Sequence, residues 1–254
     1  MRVDEFLRSA QSLPPIEAQM LAAHALGVDR TWILTHPEAL IEPGTLLERR
    51  LSGEPLAYIV GEREFYGRTF KVDPGVLIPR HETEHLIDAV LGLGREFSGT
   101  ILDIGTGSGC IAITLALELS SARVAAVDIS SGALEVAALN AARLGASVTF
   151  FAADLLPDDR TWDVVVSNPP YVSPSDFLPA DVRDFEPSLA LFGGDDGLSF
   201  YRRLAHVSAS RLFLEIGQGQ GTAVTSLLHD AGWSVAPPVP DLAGIDRVIV
   251  ATRD

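Results

Sequence analysis

What most constrains this chain is an ordered alternation that begins at Thr100. Thr100–Ile104, Arg123–Asp128, Val148–Ala152, Trp162–Ser167 and Arg211–Ile216 are short apolar runs of strand length. Between them lie segments of helical spacing, Ser108–Leu119 and Ser130–Leu144, and Gln218–Ala231 follows the last. Ser234–Ala236 and Arg247–Ala251 continue the series. Strands that alternate with helices must cross over a sheet, which predicts a parallel α/β sheet covered on both faces. In such a sheet, ligands bind at the carboxyl ends of the strands. The residues just after each strand are therefore where chemistry is to be sought.

The first of these ends reads Asp103-Ile-Gly-Thr-Gly-Ser-Gly109. Glycines let the backbone turn tightly and approach a ligand closely. The second strand ends at Asp128, 19 residues after Gly109, about the spacing at which an acid accepts from a ribose. The third ends at Ala153-Asp154-Leu155. A dinucleotide fingerprint spaces its last glycine one residue later and faces a pyrophosphate. Three acids at three strand ends suit S-adenosylmethionine (AdoMet) better, because it carries an ammonium and a sulfonium and no phosphate. Asp103 suits the ammonium side, directly or through water. Asp128 and Ile129 suit the ribose. Asp154 can accept from the adenine amino group and Leu155 can pack on the ring. Gly105, Thr106, Gly107, Ser108 and Gly109 form the loop, and Asn168 closes the cofactor site.

The fourth strand ends in Asn168-Pro-Pro-Tyr171. A planar NH2 conjugated to a carbonyl or an aromatic ring is a poor nucleophile, since its lone pair is delocalised. A catalyst must fix both N–H bonds so that the nitrogen faces a methyl group. The Asn168 side chain and the Pro169 carbonyl are two acceptors for those bonds. Pro169 and Pro170 stiffen the backbone that carries them. Tyr171 can stack on the planar group. No metal and no strong general base is called for.

Nineteen Lys and Arg against 34 Asp and Glu give a formal charge of −15. That opposes a nucleic-acid gripping face, so no direct nucleic-acid binding is expected. The single cysteine, Cys110, excludes an intrachain disulfide and suits a reducing compartment. Met1–Gln11 lacks the apolar run of a signal peptide, and Cys110–Leu117 is too short to span a membrane. A cytoplasmic enzyme with no membrane contact is expected. Upstream of the alternation, Phe6, Ala10, Ile16, Met20, Leu21, Leu26, Leu46, Leu47 and Leu51 predict a block of short helices. The texture changes from Tyr58 to Val72, where Glu64–Phe70 reads as a hairpin around Gly67, and Glu82–Leu93 reads as a helix. Residues 172–200 read as an ordered loop or lid near the strand tips.

Taken together, these segments resemble the peptide chain release factor N5-glutamine methyltransferases, the HemK/PrmC family. The resemblance rests on Glu54–Ile59, Glu64–Gly67, Leu77–Glu84, Asp103–Gly109, Asp128–Ser130 and Asn168–Tyr171. It extends to Glu186-Pro187, Gly193–Gly197, Glu215–Gly217 and Gly244–Val248. It implies a class I AdoMet-dependent methyltransferase fold, a Rossmann-like seven-stranded sheet with a small N-terminal helical domain and a β-hairpin linker. The corresponding division is 1–55, helical and substrate-recognising; 56–75, hairpin linker; and 76–254, methyltransferase. The implied reaction moves a methyl group from AdoMet to N5 of the glutamine in a release factor's Gly-Gly-Gln motif. Asn168, Pro169, Pro170 and Tyr171 fall at the glutamine site. A glutamine of a ribosomal protein, or an adenine N6 of nucleic acid, is the alternative acceptor.

Overall fold

The computed structural model describes residues 1–156 and 161–253, so Asp254, the expected end of the third segment, lies outside them. Two compact units are present. The first comprises Met1–Glu62 and Leu178–Phe185; the second comprises Arg63–Phe177 and Glu186–Asp254.

The first unit holds α1 (Val3–Ser9), α2 (Pro15–Leu26), α3 (Arg30–Thr35), α4 (Leu46–Leu51) and α5 (Leu56–Val60). Its boundaries follow local chemistry. Pro15 starts α2, where a missing N–H costs nothing, and Gly27 ends it in the left-handed region. Asp29 caps α3 by accepting from Trp32 N. Val3, Phe6, Leu21, Ala22, Ile33, Ile41 and Ile59 form the buried centre. Arg50 reaches Glu17 at 2.6 Å, joining α4 to α2. α5 is closed by Gly61 in the left-handed region.

The second unit opens with the hairpin of β1 (Glu62–Phe65) and β2 (Arg68–Lys71). Tyr66 and Gly67 both have positive φ, the geometry that matches the twist of a two-residue hairpin turn. Tyr66 is held there by its N–H to Glu84 and its hydroxyl to Asp88. A short 3-10 turn at His81–Thr83 leads into α6 (Glu84–Leu91). The alternation then runs β3 (Thr100–Ile104), α7 (Cys110–Glu118), β4 (Arg123–Asp128), α8 (Ser131–Leu144), β5 (Val148–Ala152) and β6 (Trp162–Ser167). Residues 172–200 are more ordered than a lid loop. They carry α9 (Ala180–Phe185), which belongs to the first unit, then α10 (Ser188–Leu191) and the start of α11 (Ser199–Leu204). The chain closes with β7 (Ala209–Glu215), α12 (Gly221–Asp230), β8 (Ser234–Val235), β9 (Val239–Pro240) and β10 (Asp246–Thr252).

The sheet order is β5-β4-β3-β6-β7-β10-β8, with the two-residue β9 added on β10 as an eighth strand. The five strands from β5 to β7 are parallel. β10 is antiparallel to both its neighbours, a departure from the all-parallel expectation. The reason is connection length. No helix separates β8 from β10, so the chain reverses directly and re-enters between β7 and β8. Along each strand alternate residues serve opposite faces. Ile101, Val124, Val164 and Val166 pack with Leu86, Ile87 and Ile113 on one side. Leu102, Ala125, Val165 and Leu212 pack with Tyr201, Leu204 and Leu228 on the other. Among the described residues no helix is long and apolar enough to cross a membrane.

Candidate active site

A cavity of about 310 Å3 opens at the carboxyl ends of β3 to β6, within the second unit. Gly105, Gly107, Asp128, Ile129, Asp154, Leu155, Asn168, Pro169 and Pro170 line it, with Val76, Leu77, Val127, Leu189, Phe200 and Arg203 among the other walls. The sequence-predicted residues thus divide into those on the wall and those behind it.

Asp103, Thr106, Ser108, Gly109 and Tyr171 stand behind. Asp103 is fully buried, and its Oδ2 accepts from the Thr106 hydroxyl at 2.6 Å and the Ala112 N–H at 3.2 Å. It therefore braces the glycine loop from below. Oδ1 is buried without a hydrogen-bond partner. Burial pushes the Asp103 carboxyl up to about 7, against the opposing hydrogen bonds from Thr106 and Ala112. Gly109 sits where a Cβ would come within 3.0 Å of the Ala137 Cβ, so α7 packs closely on α8. The loop also hangs on β4, since the Gly105 and Thr106 N–H groups both donate to the Val127 carbonyl.

Asp128 holds the loop and the next helix at once. Its Oδ2 accepts from Gly107 N and its Oδ1 from Ser130 N, each at 2.9 Å. Each oxygen keeps a further lone pair, so the carboxylate can still receive two hydroxyls from a sugar edge. Asp154 is half-exposed and paired with Arg203 at 2.8 Å. Leu155 is held at φ 80, a conformation that costs a branched residue about 1–3 kcal/mol and places this side chain on the wall.

The Asn168–Tyr171 turn is held by residues far away in the chain. Ser167 Oγ donates to the Ile104 carbonyl at 2.7 Å, tying the end of β6 to that of β3. Asn168 Nδ2 donates to Thr83 Oγ1 at 3.1 Å, which leaves Oδ1 as the acceptor of that amide. A Cβ on Gly193 would sit 2.4 Å from the Pro170 carbonyl oxygen, and one on Gly197 2.3 Å from that of Tyr171. Gln220 donates to the Tyr171 carbonyl at 3.0 Å and accepts from Gly217 N at 2.9 Å. Burial, then the charge of Glu215, push the Tyr171 phenol up to about 12, so it stays neutral. Thr83, Gly193, Gly197 and Gln220 received no role from sequence. The first three fall inside segments that carried the family resemblance, which was the available signal. Arg80, in one of those segments, pairs with the buried Glu186 at 2.5 Å, and Glu186 also accepts from Ile78 N. Arg80 is thus committed to holding the cavity wall near Leu77.

The donor set fits AdoMet. A glycine loop, the Asp128 carboxylate with lone pairs to spare and an apolar shelf made by Val127, Ile129 and Leu155 stand along three successive strand ends. A solved methyltransferase from Pyrococcus furiosus has the same fold, at TM-score 0.56 and 17% identity over 81% of this chain and 96% of that one. Fold and site define a class I AdoMet-dependent methyltransferase.

Residues 2–61 match the PrmC N-terminal domain and residues 82–183 the methyltransferase small domain. The release factor glutamine methyltransferase of Neisseria gonorrhoeae is 47% identical over 98% of this chain and 96% of its own length. That of Koribacter versatilis is 45% identical over 94% and 91%. The chain belongs to this family of release factor glutamine methyltransferases, and AdoMet is its cofactor.

Proposed function

We propose that this protein methylates the side-chain amide nitrogen, N5, of the glutamine in the Gly-Gly-Gln motif of peptide chain release factors. The observation that carries the reading is the orientation of Asn168. Its NH2 is committed to Thr83, so the carbonyl oxygen is what the turn offers to an incoming amide. Bound AdoMet supplies a methyl group on a sulfonium, an electrophile whose leaving group is a neutral thioether.

The rest is alignment. The two N–H bonds of the glutamine amide are received by Asn168 Oδ1 and the Pro169 carbonyl. The remaining face of the nitrogen then points along the line of attack. Orientation of this kind can supply several kcal/mol of the barrier. Once methylated, the nitrogen sheds its extra proton to water without a dedicated base, in keeping with a neutral Tyr171. Asp103, Gly105, Thr106, Gly107, Ser108 and Gly109 hold the methionine end of the cofactor, Asp128 and Ile129 its ribose, Asp154 and Leu155 its adenine. In this reading residues 1–55 recognise the release factor, 56–75 link, and 76–254 catalyse, in the cytoplasm. The charge of −15 favours a protein acceptor over a nucleic-acid one.

The test offers the purified protein labelled AdoMet with a release factor, the same factor with its motif glutamine changed, a ribosomal protein, and adenine-containing oligonucleotides. Label on the intact factor alone is expected. Label on the glutamine-changed factor or on the oligonucleotides refutes the reading.

A further inference from the structure

Phe200 and Arg203 stand on the cavity wall without a task. Both belong to α11, three positions apart, so their side chains neighbour one another on the helix. The helix is anchored by Tyr201 and Leu204, both fully buried, and the Tyr201 hydroxyl donates to the Glu215 carbonyl at 2.8 Å. From this base Arg203 reaches Asp154 at 2.8 Å, with its Cζ 5.7 Å from the centroid of the Phe200 ring. Arg202, which does not line the cavity, pairs with Asp196 instead.

Among the described residues that line the cavity, Arg203 is the one cation. AdoMet carries an ammonium and a sulfonium, so a cation on the wall is unfavourable beside either. Its position resolves the conflict. Asp154 follows β5, which lies two strands from β3 and its glycine loop. Strands are spaced so that these two ends lie about 10 Å apart. Arg203 therefore stands away from the methionine end, beside the acid assigned to the base.

A guanidinium only donates and a carboxylate only accepts, and one contact between them leaves each with unused sites. The pair thus presents an acceptor and a donor side by side. The edge of adenine is the complement, an N6–H donor next to the N1 acceptor. Hypoxanthine reverses that order, with an oxygen at C6 and a proton on N1. An acid alone can serve both bases, since a small slide brings N1–H to it. The guanidinium beside it removes that freedom, because it meets N1–H donor to donor.

We infer that Arg203 is a specificity-determining residue for the base of the cofactor, donating to N1 while Asp154 accepts from N6. Phe200 supports the guanidinium from the same helix. The inference rests on the assignment of Asp154 to adenine.

The experiment measures binding by calorimetry, with S-adenosylhomocysteine and its deaminated analogue S-inosylhomocysteine as probes. The protein is expected to prefer the adenine compound by about thirtyfold or more, as a two-point base contact does. Arg203→Met keeps the length of the side chain and removes the guanidinium. It is expected to weaken the adenine compound about tenfold and the inosine compound less than about twofold, so the preference shrinks at least about fivefold. Arg202→Met is expected to leave both affinities within about twofold, because its ion pair is exposed and off the cavity. Equal weakening of both compounds in Arg203→Met overturns the inference and points to the cofactor carboxylate as its partner. An unchanged preference in Arg203→Met, with binding weakened in Asp154→Ala, overturns the inference alone. Unchanged binding of the adenine compound in Asp154→Ala removes the adenine assignment and the inference with it. No acceptor is present in the assay, so the outcome is independent of which substrate is methylated.

Discussion

The two ends of the cavity are built on opposite plans. The end proposed for the cofactor is held by its own stretch of chain and by the strand next door. Asp103 accepts from Thr106 and Ala112 within ten residues, and Asp128 and Val127 close the loop from β4. The end proposed for the acceptor is held from outside. Thr83, Gly193, Gly197 and Gln220 reach Asn168–Tyr171 across sequence separations of between 20 and 90 residues. A site held locally is set as soon as its βα unit forms. A site held by remote segments is correct only when the whole sheet is correct.

That contrast can be broken by substitution, and the sharpest break is Asn168→Ala. Removing the acceptor should cost turnover about a hundredfold or more, by analogy with loss of a preorganised transition-state partner. AdoMet binding, measured by calorimetry, should change by less than threefold. Were affinity to collapse while turnover at saturation survived, the two ends would not be separable.

Gly193→Ala comes next. Its Cβ would meet backbone oxygens of Pro170 and Gly197 at 2.4 and 2.8 Å, atoms that cannot swing aside. The turn must shift, so we expect a turnover loss of at least tenfold and a stability loss of about 1–3 kcal/mol in urea unfolding.

The cofactor end answers to pH. The Asp103 carboxyl is raised to about 7 by burial, above its ordinary value near 3.8. A raised acid stabilises the fold fully below the ordinary value, and that contribution is lost as pH climbs toward 7. Asp103→Asn removes the titration and keeps a carbonyl for Thr106 and Ala112. From pH 5 to 8 the stability difference should therefore move in favour of Asp103→Asn by about 2 kcal/mol. A difference that is flat with pH would mean that Asp103 titrates as an exposed acid does.

The smallest effect is expected for Gly107→Ala. No protein atom lies within 4 Å of its added Cβ, so within the protein the φ of 54 is what opposes the change. AdoMet affinity should fall by less than about tenfold, the strain being about 1–2 kcal/mol, with turnover at saturation retained.

Legibility in sequence follows the same division. The strands β3, β4, β5 and β6 were readable to the residue, because each is a short apolar run ended by a chemical signal. The glycine loop and Asp128 were readable because their spacing is local. That Asp103 braces the loop from behind was not, since burial depends on what packs over it. Asn168–Tyr171 was readable as a cluster of residue types, but its supports were not. Nothing in the spacing of Thr83 or Gln220 says that they approach β6. The antiparallel entry of β10 escaped for a related reason. An apolar strand pattern carries no direction, and only the missing helix after β8 dictates the reversal.

That entry of β10 has a consequence during synthesis. Among the described strands, the last to leave the ribosome is an interior one, seated between β7 and β8. β8 pairs with no other strand along the sheet path, and the end of β7 is zipped by Val248 opposite Glu215. The cofactor end can be assembled while the chain is still growing, because β3, β4 and β5 are made early and consecutively. The far end must wait, because the end of β7, from which Gly217 and Gln220 follow to hold Tyr171, gains its partner strand only when β10 has emerged. A nascent chain stalled before Asp246 should thus be able to fold a nucleotide-type half-site while its far half stays open.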